Sequence, residues 1–245
     1  MKKIIFTTIC ALALCAIPAQ ANPQTEEVNE TAVVVEQQPK KSFWNGFFVS
    51  AGAGAQIMFG DHDVRDTFGA RISPAFDVYV GKWFTPIFGL RLGVSGFNVK
   101  GATKWEVNPT GEDSAHGTGK TTDELNGHCL QRQAFNYANT HVDFLVNFSN
   151  LACSYCGPHV WNAIPYVGIG WVRSWSKNGA APEYHPTHND VSVNIGLLNA
   201  FRITDHFHIN LDIHAMGTRD KFDGETGGRK WDGILGVTAG ASWTF

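Results

Sequence analysis

The chain has 245 residues, a formal net charge of −3 and only 17% charged residues. That balance supplies no basic surface for nucleic acid and argues against it as a partner. Glycine (26), phenylalanine (17) and tryptophan (8) are abundant, a combination that suits a membrane barrel in which only alternate residues meet lipid.

The N-terminus reads as an export signal over residues 1–21. Met1-Lys2-Lys3 is a short basic region, Ile4 to Ile17 is apolar, and Ala19-Gln20-Ala21 is a small-x-small cleavage site. Cys10 and Cys15 lie within the apolar run, but neither follows the small residue a lipoprotein site needs, so cleavage before Asn22 is expected. No later segment approaches the ~20 continuous apolar residues of a spanning helix. Residues 22–43 are polar and acidic without a period, and are expected to form a flexible periplasmic lead-in. Glu30-Thr-Ala-Val-Val-Val35 imitates the box by which large transport barrels engage an energy-transducing partner. The chain has no room for a plug and a wide lumen, so the match is taken as chance.

Residues 44–245 carry about eight alternating runs, each with the side-chain period of two that marks a strand. The first, Phe47 to Ile57, puts Phe47, Val49, Ala51, Ala53, Ala55 and Ile57 outward. The second, Ile72 to Phe84, has Phe76, Val78 and Val80 out and Asp77 in. Thr85-Pro86 turns into the third, Phe88 to Val99, with Leu90, Leu92 and Val94 out and Arg91 and Ser95 in. The fourth, Tyr137 to Phe148, places Val142, Phe144, Val146 and Phe148 out and His141, Asp143 and Asn147 in.

The fifth run is Ile164 to Ser174, with Val167, Ile169 and Trp171 out. The sixth is Val191 to Arg202, and Thr204-Asp205 is a turn. The seventh, Phe207 to Met216, faces Ile209, Leu211 and Ile213 out and His208, Asn210, Asp212 and His214 in. The last, Leu235 to Phe245, alternates without a break and stops on an aromatic residue. A soluble edge strand rarely ends on a bare apolar face, whereas a strand closing a barrel in an outer membrane does.

The connections alternate in length. Residues 59–71, 100–136, 175–190 and 217–230 are long, and those after the second and sixth runs are tight, which is the asymmetry of outer-membrane barrels. The connection over 149–163 breaks the pattern. Trp44, Trp83, Trp171 and Trp243 fall near strand ends, where interfacial girdles need rings. The soluble alternatives, a sandwich or a lipocalin-like barrel, would bury the apolar set, and the opposite face here is too small and polar for a dry core.

Asn45-Gly-Phe-Phe-Val-Ser-Ala-Gly-Ala-Gly54, Gly81-Lys-Trp-Phe-Thr-Pro-Ile-Phe-Gly-Leu-Arg-Leu92 and the closing strand resemble the OmpA-type small outer-membrane barrels of Bacteroidetes-like bacteria, over residues 43–245. The resemblance implies an all-β, eight-stranded antiparallel transmembrane barrel in the bacterial outer membrane. It also implies insertion by the outer-membrane assembly machinery, with Phe245 as part of the signal. Many such proteins continue into a peptidoglycan-binding domain. This chain ends at Phe245, so that anchoring is not expected.

Asp77, Arg91, His141, Asp143, His208, Asp212 and His214 are the expected interior network. An eight-stranded lumen is filled by side chains, and charges inside it must be paired. Arg91 is expected to bridge Asp77 or Asp143. Cys153 and Cys156 suit a local disulfide in an oxidising compartment, and Cys129 is left over. Gly157 excludes haem attachment, and zinc at Cys153, Cys156 and His159 lacks a fourth ligand, so no metal or cofactor is expected. Gly117-Thr-Gly-Lys-Thr121 imitates a phosphate loop but has Ser114 where glycine belongs and no strand-loop-helix unit. His185, His188, Asp190, Ser174 and Ser176 gather near a rim without a spacing that sets a nucleophile beside a base. The expected role is non-enzymatic: envelope structure, or surface interaction through the outer loops. The rival is a small-conductance porin. Expected partners are outer-membrane lipid and lipopolysaccharide, the assembly machinery and an unidentified extracellular molecule.

Overall fold

The computed structural model describes residues 43–60, 63, 67–104, 117–121, 130–153, 159–176, 187–222 and 230–245. The expected export signal and all of the lead-in but Phe43 fall outside them, as do Cys129, Cys156 and His185.

Alternation along the chain becomes strand. The described elements are β1 (Phe47–Phe59), β2 (Ser73–Trp83), β3 (Phe88–Lys104), β4 (Gly117–Thr121), β5 (Leu130–Val146), β6 (Trp161–Ser176), β7 (His188–Arg202), β8 (Phe207–Arg219) and β9 (Trp231–Thr244), with helices α1 (Phe68–Arg71) and α2 (Phe148–Ala152). Antiparallel pairing runs β3-β2-β1-β9-β8-β7-β6-β5, and a β3–β5 ladder closes the ring, making an eight-stranded barrel. The ninth strand, β4, stands outside it and pairs with β5. The phosphate-loop imitation at Gly117–Thr121 is therefore a strand, not a loop opening a helix.

Following register partners from Phe48 through Gly81, Arg91, Asp143, Gly168, Asn194, Met216 and Ile234 returns to β1 at Met58, 10 residues further along. That stagger over eight strands corresponds to a tilt of about 40°. Phe245 completes the seam: its N–H donates to Phe47 O at 2.8 Å, and its carbonyl accepts from Gly46 N at 3.2 Å.

The apolar set points outward. Val78, Leu92, Val94, Val167, Ile169 and Ile195 are all exposed, Ile169 to 70%, while Asp77, Arg91, His141 and Asp143 are buried. A closed ring with its apolar face outside suits lipid, because the ladders close on themselves instead of ending in an open sheet edge.

Several boundaries differ from the sequence expectation. β3 and β5 stay paired from Phe88↔Val146 to Lys104↔Leu130, so both ends of the expected 100–136 loop continue the β-ribbon. At the other end β5 stops at Val146. Asn147 caps α2 by accepting from Asn150 N at 3.0 Å, and Phe148 begins that helix rather than ending a strand. This helix is what lengthens the irregular connection. Ile57, expected outward, is buried. Nearby, Arg71 folds back onto β1, its guanidinium donating to Met58 O and lying 5.0 Å over the Phe59 ring.

The two tight turns share one construction. Thr85 Oγ1 accepts from Ile87 N and Phe88 N, and Thr204 Oγ1 accepts from His206 N and Phe207 N. In each, two successive amides donate to the carbonyl of the closing phenylalanine, Phe88 or Phe207. The threonine thus satisfies amides that these four-residue connections would otherwise leave unpaired.

Leu92 is exposed on the outer wall, about 10 Å above Phe88 and so near the middle of an apolar band about 25 Å tall. Leu92→Arg should destabilise the folded barrel by about 2–4 kcal/mol in lipid vesicles, as a cation at the bilayer midplane does. Urea unfolding followed by tryptophan fluorescence checks this.

Candidate functional site

Arg91 sits at the centre of the lumen, held on four sides. Its Nε donates to Asp143 Oδ2 at 2.7 Å and its Nη1 to Asp212 Oδ2 at 3.1 Å. The guanidinium plane lies 3.9 Å from the Tyr79 ring centroid and 4.0 Å from that of Tyr166. Tyr166 Oη donates to Asp212 Oδ1 at 2.9 Å, and His141 Nδ1 lies 2.7 Å from Asp143 Oδ1. Ring faces offer negative potential where water is absent, so the arginine is solvated by two rings and two carboxylates.

The register explains how so much bulk fits. Tyr79 lies opposite Gly93, Tyr166 opposite Gly196, Asp143 opposite Gly168 and Asp77 opposite Gly52. A Cβ on Gly93 would sit 2.1 Å from Tyr79 Cδ1, and one on Gly196 would sit 2.4 Å from the Tyr166 hydroxyl. Each large inward side chain occupies the space that its cross-strand glycine leaves.

Asp77, named as an alternative bridge, makes no hydrogen bond to Arg91; Asp212 takes that place. Asp77 is still adjacent, sharing with Arg91, Asp212 and Thr238 the lining of a cavity of about 10 Å³. His141 belongs to the cluster through Asp143. His208 faces inward on the short-turn side of the cluster, lining a cavity of about 90 Å³ with Arg91, Ser50, Asn210 and Ser242. His214 is half-buried, opposite Gly236.

Apolar plugs lie on both sides of this polar centre. Toward the short turns, Phe48, Leu145, Ile164, Tyr166, Leu198 and Ala200 pack together. Toward the long loops, Met58, Val99, Phe135, Tyr137, Val172, Met216, Phe222 and Ile234 do the same. Between the centre and the outer plug, Asn139 Nδ2 donates to Asn194 Oδ1 at 2.7 Å and Ser192 Oγ to Asn139 Oδ1 at 2.6 Å. Neither plug was foreseen from the sequence. Their signal was there, in Phe48, Tyr137 and Tyr166 on the inward parity, the first and third facing a glycine. Phe222 carries no such signal, because it enters from the β8–β9 connection; Ser174 Oγ holds it by donating to Phe222 O at 2.9 Å.

Trp44, Trp171 and Trp243 are exposed on the outer wall, where an interfacial girdle needs them. Trp83 is a correction. It packs inside the barrel against the Phe48 plug, because on β2 it has the parity of Asp77 and Tyr79. Phe245 is exposed at the short-turn rim. Cys153 is disulfide-bonded just after α2. Among the rim polar residues, the Ser174 hydroxyl is committed to a backbone carbonyl, and Asp190 lies 3.8 Å from Arg219. Among the described residues no group of histidine, cysteine and carboxylate side chains is arranged to hold a metal ion.

No protein-family model matches the chain. It is 26% identical over 245 residues to Outer membrane protein 40 of Porphyromonas gingivalis, and 24% identical over 263 residues to Outer membrane protein 41 of the same organism. In each case 99% of this chain is covered. It spans 57% of the first relative's length and 58% of the second's. Among solved structures it is similar to Neisserial surface protein A, at TM-score 0.49 and 10% identity over 82% of this chain and 98% of that one. Similarity to the Yersinia pestis attachment invasion locus protein Ail is TM-score 0.40 and 13% identity, over 82% and 99%. This protein is a β-barrel of the bacterial outer membrane.

Arg91→Ala would leave Asp143 and Asp212 buried without their cation, and should cost about 3–5 kcal/mol. Arg91→Lys should recover only part of that, since an ammonium cannot stack flat between two rings. Gly93→Val should also destabilise, by driving Tyr79 off the guanidinium. Thermal unfolding in detergent, followed by the heat-dependent gel shift, ranks the three.

Proposed function

We propose that this chain is a sealed, non-enzymatic barrel of the OmpA type, serving as a membrane-embedded scaffold that contributes to envelope structure and presents its long loops to the outside. The observation that carries this reading is the filled lumen, with an arginine clamp between two apolar plugs and, among the described residues, small cavities of about 10 and 90 Å³. A conducting pore needs a continuous wet path, and larger barrels provide one.

The non-enzymatic reading is supported by the rim chemistry, where Ser174 is turned to a carbonyl rather than a histidine. The relatives' designation as outer membrane proteins is consistent with a structural or surface role. Lipopolysaccharide and outer-membrane lipid are proposed to surround the barrel. Insertion is proposed to run through the outer-membrane assembly machinery, with the exposed Phe245 as part of its signal. The extracellular partner is left unnamed.

Folded full-length protein in planar bilayers should be electrically silent across the physiological voltage range. Steady, reproducible unit conductance would instead make the small-porin reading primary.

A further inference from the structure

The outer wall is not uniform. Beyond Phe76↔Gly96, β2 no longer pairs with β3, while β3 continues along β5. Here Gly96 has φ +144° and Phe97 has φ +126°, and Phe97 is rare among side-chain-bearing residues in adopting that region. Its register partner Tyr137 faces inward, yet Phe97 is 55% exposed. The twisted backbone swings the ring onto the outer wall, where it meets Phe76 edge-on at 5.3 Å.

The result is an apolar groove of about 350 Å³. Phe76 and Phe97 form one side and Trp175 the other; Val94, Gly96 and Ala138 form the floor. Its depth follows from the strands. At a tilt of about 40° each residue rises about 2.5 Å, so Gly96 stands about 20 Å above Phe88, and the apolar band of such barrels is about 25 Å tall. Phe88, stacked on Phe144 at 5.8 Å, marks the short-turn edge of that band. The groove therefore straddles the boundary between acyl chains and headgroups in the outer leaflet.

Two cations flank it there. Arg173 on β6 is the register partner of the floor residue Ala138 and is exposed; Lys100 is exposed on β3 beyond Phe97. Neither makes an ion pair among the described residues. Strand spacing and rise put their Cα atoms about 15 Å apart, a spread suited to a broad, multiply charged headgroup.

We propose that this groove binds one phosphorylated, multiply acylated glycolipid of the outer leaflet, with an acyl chain lying between Phe97 and Trp175 and its phosphates meeting Arg173 and Lys100. Juxtaposed apolar and cationic surfaces at one depth recognise that chemistry, whereas plain lipid packing needs only the apolar wall. The inference is independent of whether the barrel conducts.

The test uses full-length protein refolded into phosphatidylcholine nanodiscs doped with lipid A, its folding verified by heat-dependent gel shift. Native mass spectrometry then counts retained lipid. Wild type should carry one lipid A in preference to phosphatidylcholine. The double variant K100Q/R173Q, which alters exposed side chains only, should weaken retention roughly thirtyfold. Ala138→Trp, filling the floor with both charges kept, should abolish it. Retention no better than phosphatidylcholine, or unchanged in folded K100Q/R173Q, would overturn the proposal. Equal competition by phosphatidylglycerol would overturn the glycolipid assignment.

Discussion

A buried arginine in a cylinder surrounded by lipid has to be solvated from within, and the interior is organised around that demand. Arg91 is buried and borders small cavities of about 10 and 90 Å³. Two aspartates neutralise it and two tyrosine rings cover its faces. Those rings need room in a lumen that eight strands make narrow, and the cross-strand glycines provide it. The second ring of partners follows. Asp143 is held by His141, Asp212 by Tyr166, and Tyr79 stands edge-on to His141 at 5.7 Å. A change at any member propagates because the group is connected and has few alternatives.

The same cluster helps to make the barrel a solid body. Tyr166 belongs both to the clamp and to the apolar plug beneath it. Tyr137, in the outer plug, donates to Gln56 Oε1 at 2.5 Å, and Gln56 Nε2 donates to the carbonyls of Pro74 and Asn98. Polar and apolar layers are therefore tied to one another and to the wall.

Much of this was legible in the sequence. Period-two alternation located all eight wall strands and assigned Asp77, Arg91, His141, Asp143 and Asp212 to the inside. Trp44, Trp171 and Trp243, expected at the interfaces, are exposed in the structure. The partner of Arg91 was only half legible, because parity says which side a residue faces but not its height. The stagger around the ring decides that Asp212 rather than Asp77 meets the guanidinium. Trp83 was misplaced by its nearness to a strand end, although its own parity pointed inward. The extension of β3 and β5 was hidden because Lys100 to Lys104 and Leu130 to Ala134 carry no apolar alternation. They are held by the β3–β5 ladder, with Lys100 N and Ala102 N also donating to Ser73 Oγ and Asp63 Oδ1. Phe97 could not be read at all, since an inverted side chain is a property of the backbone at Gly96 and Phe97, not of the pattern.

That extended ribbon sets a distance. β3 and β5 are each 17 residues long, which at about 2.5 Å of height per residue comes to about 42 Å. The hydrocarbon band needs only about 25 Å of it. The surplus is a hydrogen-bonded mast standing about 15 Å clear of the acyl layer on the long-loop side. A molecule approaching from outside meets the mast before it meets the membrane, and meets it at a fixed height.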